Sequence, residues 1–189
     1  MAIRKVARLG HPVLVRVAEP LTRESLASPA VQALIDDMIE TMRDERGVGL
    51  AAPQVHESLR LFVMDPATED EESELRVIVN PVLAFSTSDT LSLWEGCLSI
   101  PGIRGETERF AEVDVSGWDR HGRPFRETFR DLAAAVVQHE TDHLDGVFFL
   151  ARMPDPNRLA FEEEYRRYVL DDDDDDGGSE EGDDRDEQA

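Results

Sequence analysis

Hydrophobic residues between positions 28 and 47 recur every three or four residues, which is the spacing of a helix with one buried face. Ser28 suits the N-cap of this helix, and Pro29 suits its first helical position. Gly47 is placed to end the helix in a left-handed conformation. The pattern therefore predicts an amphipathic helix that packs its methionine and isoleucine side chains into a core.

Alternating hydrophobic and polar residues indicate two pairs of β-strands further along the chain. Segments 59–65 and 75–85 form the first pair, and we expect them to make a hairpin across an acidic loop. Segments 111–118 and 123–129 form the second pair, which is predicted to turn near Gly122.

Two further helices and one extended segment complete the prediction. Residues 131–146 have the pattern of a helix of about 14 residues that ends at Gly146, and residues 154–170 predict a third helix with Asp155 as its N-cap. The first 20 residues are predicted to be extended, because PVLVRV (residues 12–17) alternates and lies between Pro12 and Pro20. We therefore expect an α+β fold in which antiparallel β-sheets pack around the helix 131–146 as a central helix.

The length and composition of the chain fit one ordinary globular domain. With 189 residues and 40% hydrophobic content, the chain is long enough to bury a substantial core. No apolar run approaches the roughly 18–20 residues that a membrane helix needs, and the first residues lack the apolar block of a signal peptide. We therefore expect a cytoplasmic protein without a membrane segment. With Cys97 as the single cysteine, no internal disulfide bond can form.

Half of the net charge of −22 lies in residues 171–189, which contain twelve acidic residues and one arginine. This segment has no large apolar residue and its like charges repel one another, so we expect a disordered acidic tail. Residues 1–170 are then expected to form a single domain. The negative charge also argues against direct DNA binding and against general affinity for nucleic acid.

The sequence VVQHETDHLDGV (residues 136–147) carries a candidate metal site on the central helix. His139 and His143 are four residues apart, so both imidazoles lie on one helix face and can aim at one ion. Glu140 lies about 100° further round the helix, close enough for its carboxylate to reach a water at that ion. The sequence therefore predicts a central metal-binding helix.

A catalytic metal ion usually has three protein ligands and one open position, so a third ligand is needed. A third histidine six residues after His143 is one known solution, but that position is Phe149. A glutamate further downstream is another, for which residues 162–164 are candidates, although this acidic run is equally typical of an exposed helix face. Cys97 is the third candidate, and a sulfur with two nitrogens suits Zn²⁺ or Fe²⁺.

Two other stretches have compositions that suit a functional site. LWEGCLSIPG (residues 93–102) surrounds Cys97 with apolar residues, and Gly96 lets the backbone approach a neighbour closely. GVGLAAPQV (residues 47–55) consists mainly of small residues, so its backbone groups can lie against a ligand, and Gln54 is its one polar side chain. Taken alone, the second stretch is equally consistent with a structural loop.

In order and spacing, the segments GVGLAAPQ, EGCLS and QHETDHLDG resemble the three signature motifs of the bacterial-type peptide deformylases. The resemblance implies a catalytic domain of a metallo-amidohydrolase, which removes the formyl group from the N-terminal methionine of newly made polypeptides and releases formate. It implies Cys97, His139 and His143 as metal ligands. It also implies one Fe²⁺ per chain, which Zn²⁺, Ni²⁺ or Co²⁺ can replace.

The resemblance also implies roles for other residues. Glu140 is the expected catalytic acid and base, and Gln54 with the backbone N–H of Leu98 is expected to stabilise the charge that develops on the formyl oxygen. Arg109 is expected to pair with Glu95. Contacts with the substrate are expected from Val48, Gly49, Arg104, Leu132, Ala135 and Val136.

The chain departs from many of its apparent relatives at the start of the central helix, where it has DLAAA. Ala135 stands where a bulkier residue is usual, so we expect a wider slot for the methionine side chain. Some relatives dock on the ribosome through a basic C-terminal helix, and here the acidic tail is expected to weaken that docking. The expected partners are N-formylmethionyl nascent peptides, and the expected oligomeric state is a monomer.

Three other functions are compatible with the residues alone. A metallopeptidase would use one of residues 162–164 as a ligand and would tolerate Cys97→Ala. A binding protein that keeps the fold without the activity would need neither Glu140 nor Gln54. A thiol hydrolase with Cys97 as its nucleophile would be indifferent to chelators.

Overall fold

The computed structural model describes residues 2–66 and 75–170. The strands in these ranges are β1 (Gly49–Ala51), β2 (Leu61–Met64), β3 (Arg76–Ala84), β4 (Thr90–Cys97), β5 (Ile100–Phe110), β6 (Glu112–Trp118), β7 (Pro124–Arg130) and β8 (Leu159–Phe161). The α-helices are α1 (Arg23–Leu26), α2 (Pro29–Asp44), α3 (Asp131–Leu144) and α4 (Glu162–Tyr165). Short 3₁₀-helices lie at Pro12–Val15, Ala52–Val55 and Phe149–Arg152, and a π-helical turn lies at Arg166–Leu170.

The strands form two antiparallel sheets. The larger sheet has the order β1-β2-β3-β6-β7 and the smaller has the order β4-β5-β8. Helix α3 contacts β1, β2 and β7 of the larger sheet and β5 of the smaller one. The structure therefore confirms the expected α+β fold, in which antiparallel sheets pack around a central helix.

Strand β2 shows how the larger sheet is covered on both faces. Its four residues are all buried, and their side chains alternate between two hydrophobic clusters. Leu61 and Val63 pack with residues of α2, whereas Phe62 and Met64 pack with residues of α3. The two helices thus cover opposite faces of the larger sheet, and α3 lies between the two sheets.

Helix α2 confirms the predicted amphipathic helix. The Ser28 hydroxyl accepts a hydrogen bond from the backbone N–H of Val31 at 3.4 Å, which caps the helix at its start. The prediction for the C-terminal end was wrong by one residue, because Arg46 and not Gly47 has a positive φ, of 54°. The N–H of Gly47 donates to the carbonyl of Met42 at 2.9 Å, which places Gly47 one position beyond the left-handed residue.

Both predicted hairpins are confirmed. Strands β2 and β3 pair with Phe62 opposite Ile78, and β6 and β7 pair with Val113 opposite Phe129. The second hairpin turns at Gly122, which has a φ of +75°. Most of the predicted acidic loop, residues 67–74, lies outside the described residues.

The prediction that the first 20 residues are extended was wrong at residues 12–15. Pro12–Val15 form a 3₁₀-helix, and Nδ1 of His11 caps it by accepting the N–H of Val13 at 3.2 Å. Val13 and Leu14 are adjacent and both buried. Successive side chains of a strand point to opposite faces, so a strand could not bury both against one core.

The predicted third helix also starts too early. The Asp155 carboxylate accepts the backbone N–H of Asn157 at 2.8 Å, which forms a turn and not a helix cap. Leu159–Phe161 then pair with β5 as strand β8, and the helix begins only at Glu162. The open edge of β5 supplies the backbone hydrogen bonds that the sequence pattern assigned to a helix.

In the described ranges, none of the helices combines the length and the apolar character needed to span a bilayer. The acidic tail, residues 171–189, lies outside the described residues, and its disorder stays a prediction.

Candidate metal centre and active-site cavity

Three side chains from two distant parts of the chain converge at one point. Cys97 ends β4, and His139 and His143 lie on one face of α3. Their candidate ligand atoms all lie within 4.8 Å of one another, and Cys97 Sγ is 3.2 Å from Nε2 of His143. One sulfur and two imidazole nitrogens form a donor set that fits Zn²⁺ or Fe²⁺. The structure thus groups the three residues that were expected as ligands, without any of residues 162–164.

An irregularity at the end of β4 directs Cys97 toward α3. Gly96 pairs with Arg104 of β5, but the next residue, Cys97, pairs with Ile100, so the register shifts at this point. Such a bulge changes the direction of a side chain relative to a regular strand. The tight turn also brings the backbone N–H of Ser99 within 3.4 Å of Cys97 Sγ.

The ring of His139 is oriented by Glu95, whose Oε2 lies 2.5 Å from Nδ1. Nε2 is then the ring nitrogen left for a metal ion. Burial lowers the pKa of His139, but its contacts with Cys97 and Glu95 outweigh burial and raise this pKa well above its usual range. The sulfur and the carboxylate therefore favour positive charge between them, which a bound cation also provides.

The second histidine differs in its protonation. Burial lowers the pKa of His143 well below its ordinary value, and the neighbouring charge of His139 adds to this effect. His143 therefore presents a neutral imidazole, which is the form that binds metal ions. Its Nδ1 has no hydrogen-bond partner among the residues that the structure describes.

A buried network of ion pairs continues from Glu95 away from the candidate ligands. Arg109 Nε is 2.6 Å from Glu95 Oε1, and Arg109 Nη1 is 2.6 Å from Asp142 Oδ2. Arg152 contacts the other carboxylate oxygen of Asp142, also at 2.6 Å. Burial raises the pKa of Glu95, but hydrogen bonds from His139 and Arg109 together hold it well below its usual range. The expected pairing of Arg109 with Glu95 is confirmed, and it keeps a charged carboxylate behind His139.

Glu140 reaches the same space from α3. Its side chain is buried, and its Oε2 has no hydrogen-bond partner in the described part of the chain. Burial raises the pKa of Glu140 to about 7. A Cβ added to Gly49 would lie 2.8 Å from Cδ of Glu140, so the glycine leaves room for this carboxylate. A buried carboxylate with an unpaired oxygen is available to a water or to a substrate group.

Gln54 is held rigidly beside Cys97. Its Oε1 accepts the backbone N–H of Ala51 at 2.8 Å, and its Nε2 donates to Ser99 Oγ at 3.3 Å and faces Cys97 Sγ at 3.7 Å. Leu98 lines the cavity next to these residues, and its carbonyl accepts a hydrogen bond from Arg8. Two of the three residues expected to act on the formyl group thus lie on the cysteine side of the site.

A cavity of about 550 Å³ lies over these side chains. Its size is that of a small-ligand site. Val48 and Leu132 are nearly half exposed at its edge, whereas Ala135 and Val136 are buried. All six residues that were expected to contact substrate line this cavity, namely Val48, Gly49, Arg104, Leu132, Ala135 and Val136.

Two residues have contacts in the site that the sequence did not predict. Ser99 orients Gln54, and the signal for it was its position two residues after Cys97 in the same motif. Glu162 is one of the three candidate glutamate ligands that are also typical of an exposed helix face, but it lines the cavity and pairs with Arg104 at 2.6 Å, outside the cluster of potential ligands. Glu162 also pairs with Arg166, four residues later, at 3.1 Å.

The family model described as Polypeptide deformylase matches residues 3–159. Peptide deformylase 1 of Corynebacterium glutamicum is 47% identical over 163 residues, which are 85% of this chain and 92% of that protein.

Solved structures show the same similarity in three dimensions. The crystal structure of a peptide deformylase from Thermotoga maritima has a TM-score of 0.75 and 36% identity, and the match covers 82% of this chain and 100% of that one. A Met-Ala-Ser-bound class I type b peptide deformylase from Acinetobacter baumannii has a TM-score of 0.77 and 34% identity, with 80% and 99% of the two chains covered.

Proposed function

The chain belongs to the peptide deformylase family and removes the N-formyl group from nascent peptides, and we propose that Cys97, His139 and His143 hold the metal ion that this hydrolysis requires. The observation that carries the proposal is the cluster of their ligand atoms within 4.8 Å of one another, beside the unpaired carboxylate oxygen of Glu140. The proposed ion is Fe²⁺, with Zn²⁺, Ni²⁺ and Co²⁺ as working replacements, as the resemblance of the three motifs implies. One sulfur and two nitrogens suit ions of this kind.

The proposed mechanism divides the chemistry between the ion and the chain. A divalent ion at this site supplies Lewis acidity, which makes a water easier to deprotonate and a formyl carbon easier to attack. Glu140 accepts the proton of the attacking water and later donates it to the departing amine nitrogen as the C–N bond breaks. Nε2 of Gln54 and the backbone N–H of Leu98 donate to the formyl oxygen while negative charge develops on it. The products are formate and a free amino terminus.

The proposed substrate is a peptide that begins with N-formylmethionine. Ala135 and Val136 form a buried apolar wall for the methionine side chain, and Val48 and Leu132 lie at the edge of the cavity. Strand β1 is an edge strand of the larger sheet, so its backbone can pair with a peptide of any sequence. A relative of known structure was crystallised with Met-Ala-Ser bound, which supports a peptide in the equivalent cavity.

Formate release from formyl-Met-Ala, measured together with the metal content of the purified protein, tests the assignment of the ligands. Cys97→Ala is expected to lose both the bound metal and the activity. Glu140→Gln is expected to keep the metal and lose the activity, because it removes only the group that transfers the proton. Glu163→Gln is a matched control on an exposed carboxylate and is expected to keep both. A Cys97→Ala protein that retains metal and turnover would refute the assignment.

The same measurements separate the proposed function from its rivals. A thiol hydrolase would keep its activity in the presence of a metal chelator, whereas the proposed enzyme loses it. A metallopeptidase with a glutamate ligand would tolerate Cys97→Ala. The cluster of potential ligands in the described part of the chain contains Cys97 and both histidines but none of residues 162–164, which favours the deformylase site.

The identity of the ion has its own test. An iron(II) ion beside a thiolate is open to oxidation, so protein prepared without oxygen is expected to contain iron and to lose activity in air. Protein loaded with Ni²⁺ is expected to keep its activity in air. Elemental analysis of protein purified under both conditions checks this proposal, and a protein that contains only zinc in each case would contradict it.

We also propose that residues 1–170 form the catalytic domain of a cytoplasmic monomer and that the acidic tail, residues 171–189, weakens ribosome docking. Twelve acidic residues in the tail would be repelled by the phosphates of RNA. The chain that ends at residue 170 is expected to pellet with ribosomes more than the full chain does. Equal pelleting of the two chains would refute the proposal. Size-exclusion chromatography tests the monomer.

A further inference from the structure

Beyond residue 140, the described part of the chain contributes one side chain to the cavity wall, that of Glu162. Strand β8 pairs with β5 so that Ala160 lies opposite Arg104, which brings Glu162 beside Arg104. Glu162 Oε2 is 2.6 Å from Arg104 Nε, and Oε1 is 3.5 Å from Nη2. The hydrogen bond from Arg104 lowers the pKa of Glu162. The two side chains, 35% and 28% exposed, thus form a two-point ion pair at the cavity edge.

Strand pairing places Arg104 close to the candidate metal centre. Arg104 lies opposite Gly96, and a Cβ added to Gly96 would be 3.5 Å from the guanidinium carbon. The guanidinium therefore lies against the backbone of β4, one residue from Cys97. An uncompensated positive charge at this point would attract a carboxylate on any peptide that crosses the edge of the cavity.

Aromatic side chains hold Arg104 in this position. Its guanidinium carbon lies 5.5 Å from the ring centre of Tyr165, and the Tyr165 and Trp94 rings are 5.1 Å apart. The guanidinium carbon of Arg158 lies 5.0 Å from the ring centre of Trp94. A cation within about 6 Å of an aromatic ring is attracted to its face. Arg104 would therefore lose both the ring contact and the Glu162 carboxylate if it moved away.

We propose that Glu162 is a specificity-determining residue that compensates the charge of Arg104, so that the enzyme does not favour acidic residues after the formylmethionine. This inference rests on the proposed function, because it places the amino terminus of a peptide in the cavity. An extended peptide advances about 3.3 Å per residue, so the second and third residues pass the cavity edge when the formyl group lies near Cys97. An enzyme that meets many different nascent chains gains from this neutrality.

Formate release from three peptides tests the inference with the full-length protein loaded with metal. The peptides are formyl-Met-Ala-Ser, formyl-Met-Asp-Ser and formyl-Met-Lys-Ser. Glu162→Gln is expected to raise the ratio of kcat/KM for the aspartate peptide to that for the alanine peptide by about threefold to fivefold, as for other partly exposed charge pairs. The effect is expected to shrink in high salt, which screens exposed charges.

Two further variants make the test decisive. Arg104→Gln leaves Arg166 as the remaining cation beside Glu162, at 3.1 Å, and removes the positive charge from the cavity edge, so it is expected to shift the preference the opposite way, toward the lysine peptide. Glu163→Gln removes the same charge from an exposed neighbour outside the cavity wall, and it is expected to leave the three ratios unchanged.

Three results would overturn the inference: equal effects of Glu162→Gln and Glu163→Gln, no change of the ratios, or a proportional loss for all three peptides. If Glu162→Gln does not fold, Arg104→Gln tests the same pair, and an unchanged preference in that variant overturns the inference. Failure of the proposed function would look different, because the unmodified protein would then release no formate from any peptide.

Discussion

Replacing Arg109 with methionine should destabilise the protein strongly, because Arg109 is the cation of a buried network. Its side chain is only 3% exposed and donates to both oxygens of Glu95 and to Oδ2 of Asp142, at distances of 2.6–3.0 Å. Methionine retains much of the apolar volume of arginine, so the substitution removes charge and donors without leaving a large cavity. Two buried carboxylates then lose a partner.

The expected loss can be estimated from this geometry. Removing one partner of a buried ion pair costs about 3–5 kcal/mol, because the other charge stays buried without compensation. Here Asp142 keeps Arg152 at 2.6 Å, and Glu95 keeps the hydroxyl of Thr107 at 2.6 Å. We therefore expect the lower part of that range, about 3–4 kcal/mol in the free energy of unfolding. For a domain of this size, this corresponds to a fall in Tm of roughly 10 °C.

Urea and thermal denaturation of the unmodified protein and two variants measure the effect. Arg158→Met is the matched control, because Arg158 is 48% exposed and pairs with Glu106 at 2.5 Å on the surface. Exposed pairs contribute about 0–1 kcal/mol, so this control should unfold almost as the unmodified protein does. If Arg109→Met and Arg158→Met lose the same amount, the network does not have the stabilising role that its burial suggests.

Three further substitutions test the site itself. Gly49→Ala should fold and bind metal but turn over about a hundredfold more slowly, because its Cβ displaces the Glu140 carboxylate. Normal turnover of formyl-Met-Ala-Ser with full metal content would contradict this. Ser99→Ala should lower kcat about fivefold with little change in KM, because Gln54 loses a hydrogen bond; a change confined to KM would argue against it. Ala135→Leu should narrow the pocket for the first side chain of the substrate, so it should lower turnover of formyl-Phe peptides about tenfold more than that of formyl-Met peptides. Equal losses for both peptides would rule out a wide pocket.

Local patterns predicted the elements whose residues are close in sequence. The buried face of α2, the two hairpins β2–β3 and β6–β7, and the histidine pair of α3 all follow from spacings within one element. The error at the end of α2 is also local in origin. The need for a left-handed residue falls on Arg46 because the N–H of Gly47 completes the capping hydrogen bond to Met42.

Contacts between distant elements could not be predicted in the same way. Residues 154–170 have a helical pattern, but the free edge of β5 captures Leu159–Phe161 as β8, and only tertiary structure supplies that edge. The position of Glu162 in the cavity depends on this pairing. The sequence alone therefore does not distinguish Glu162 from the two glutamates that follow it, although Glu162 is the one that pairs with Arg104.

Residues of the glycine motif, 47–54, contact side chains of the two other sequence motifs of the family. A Cβ at Gly47 would lie 3.0 Å from Cδ1 of Leu98, and one at Gly49 would overlap the carboxylate of Glu140. Gln54, at the end of the same stretch, contacts Cys97. The glycine motif thus packs against both the cysteine motif and the histidine motif. An isolated helix end or an isolated loop would not need glycine at both positions. The three motifs together therefore predict the site better than any one of them alone, because the two glycines are needed for contacts with elements that are distant in the sequence.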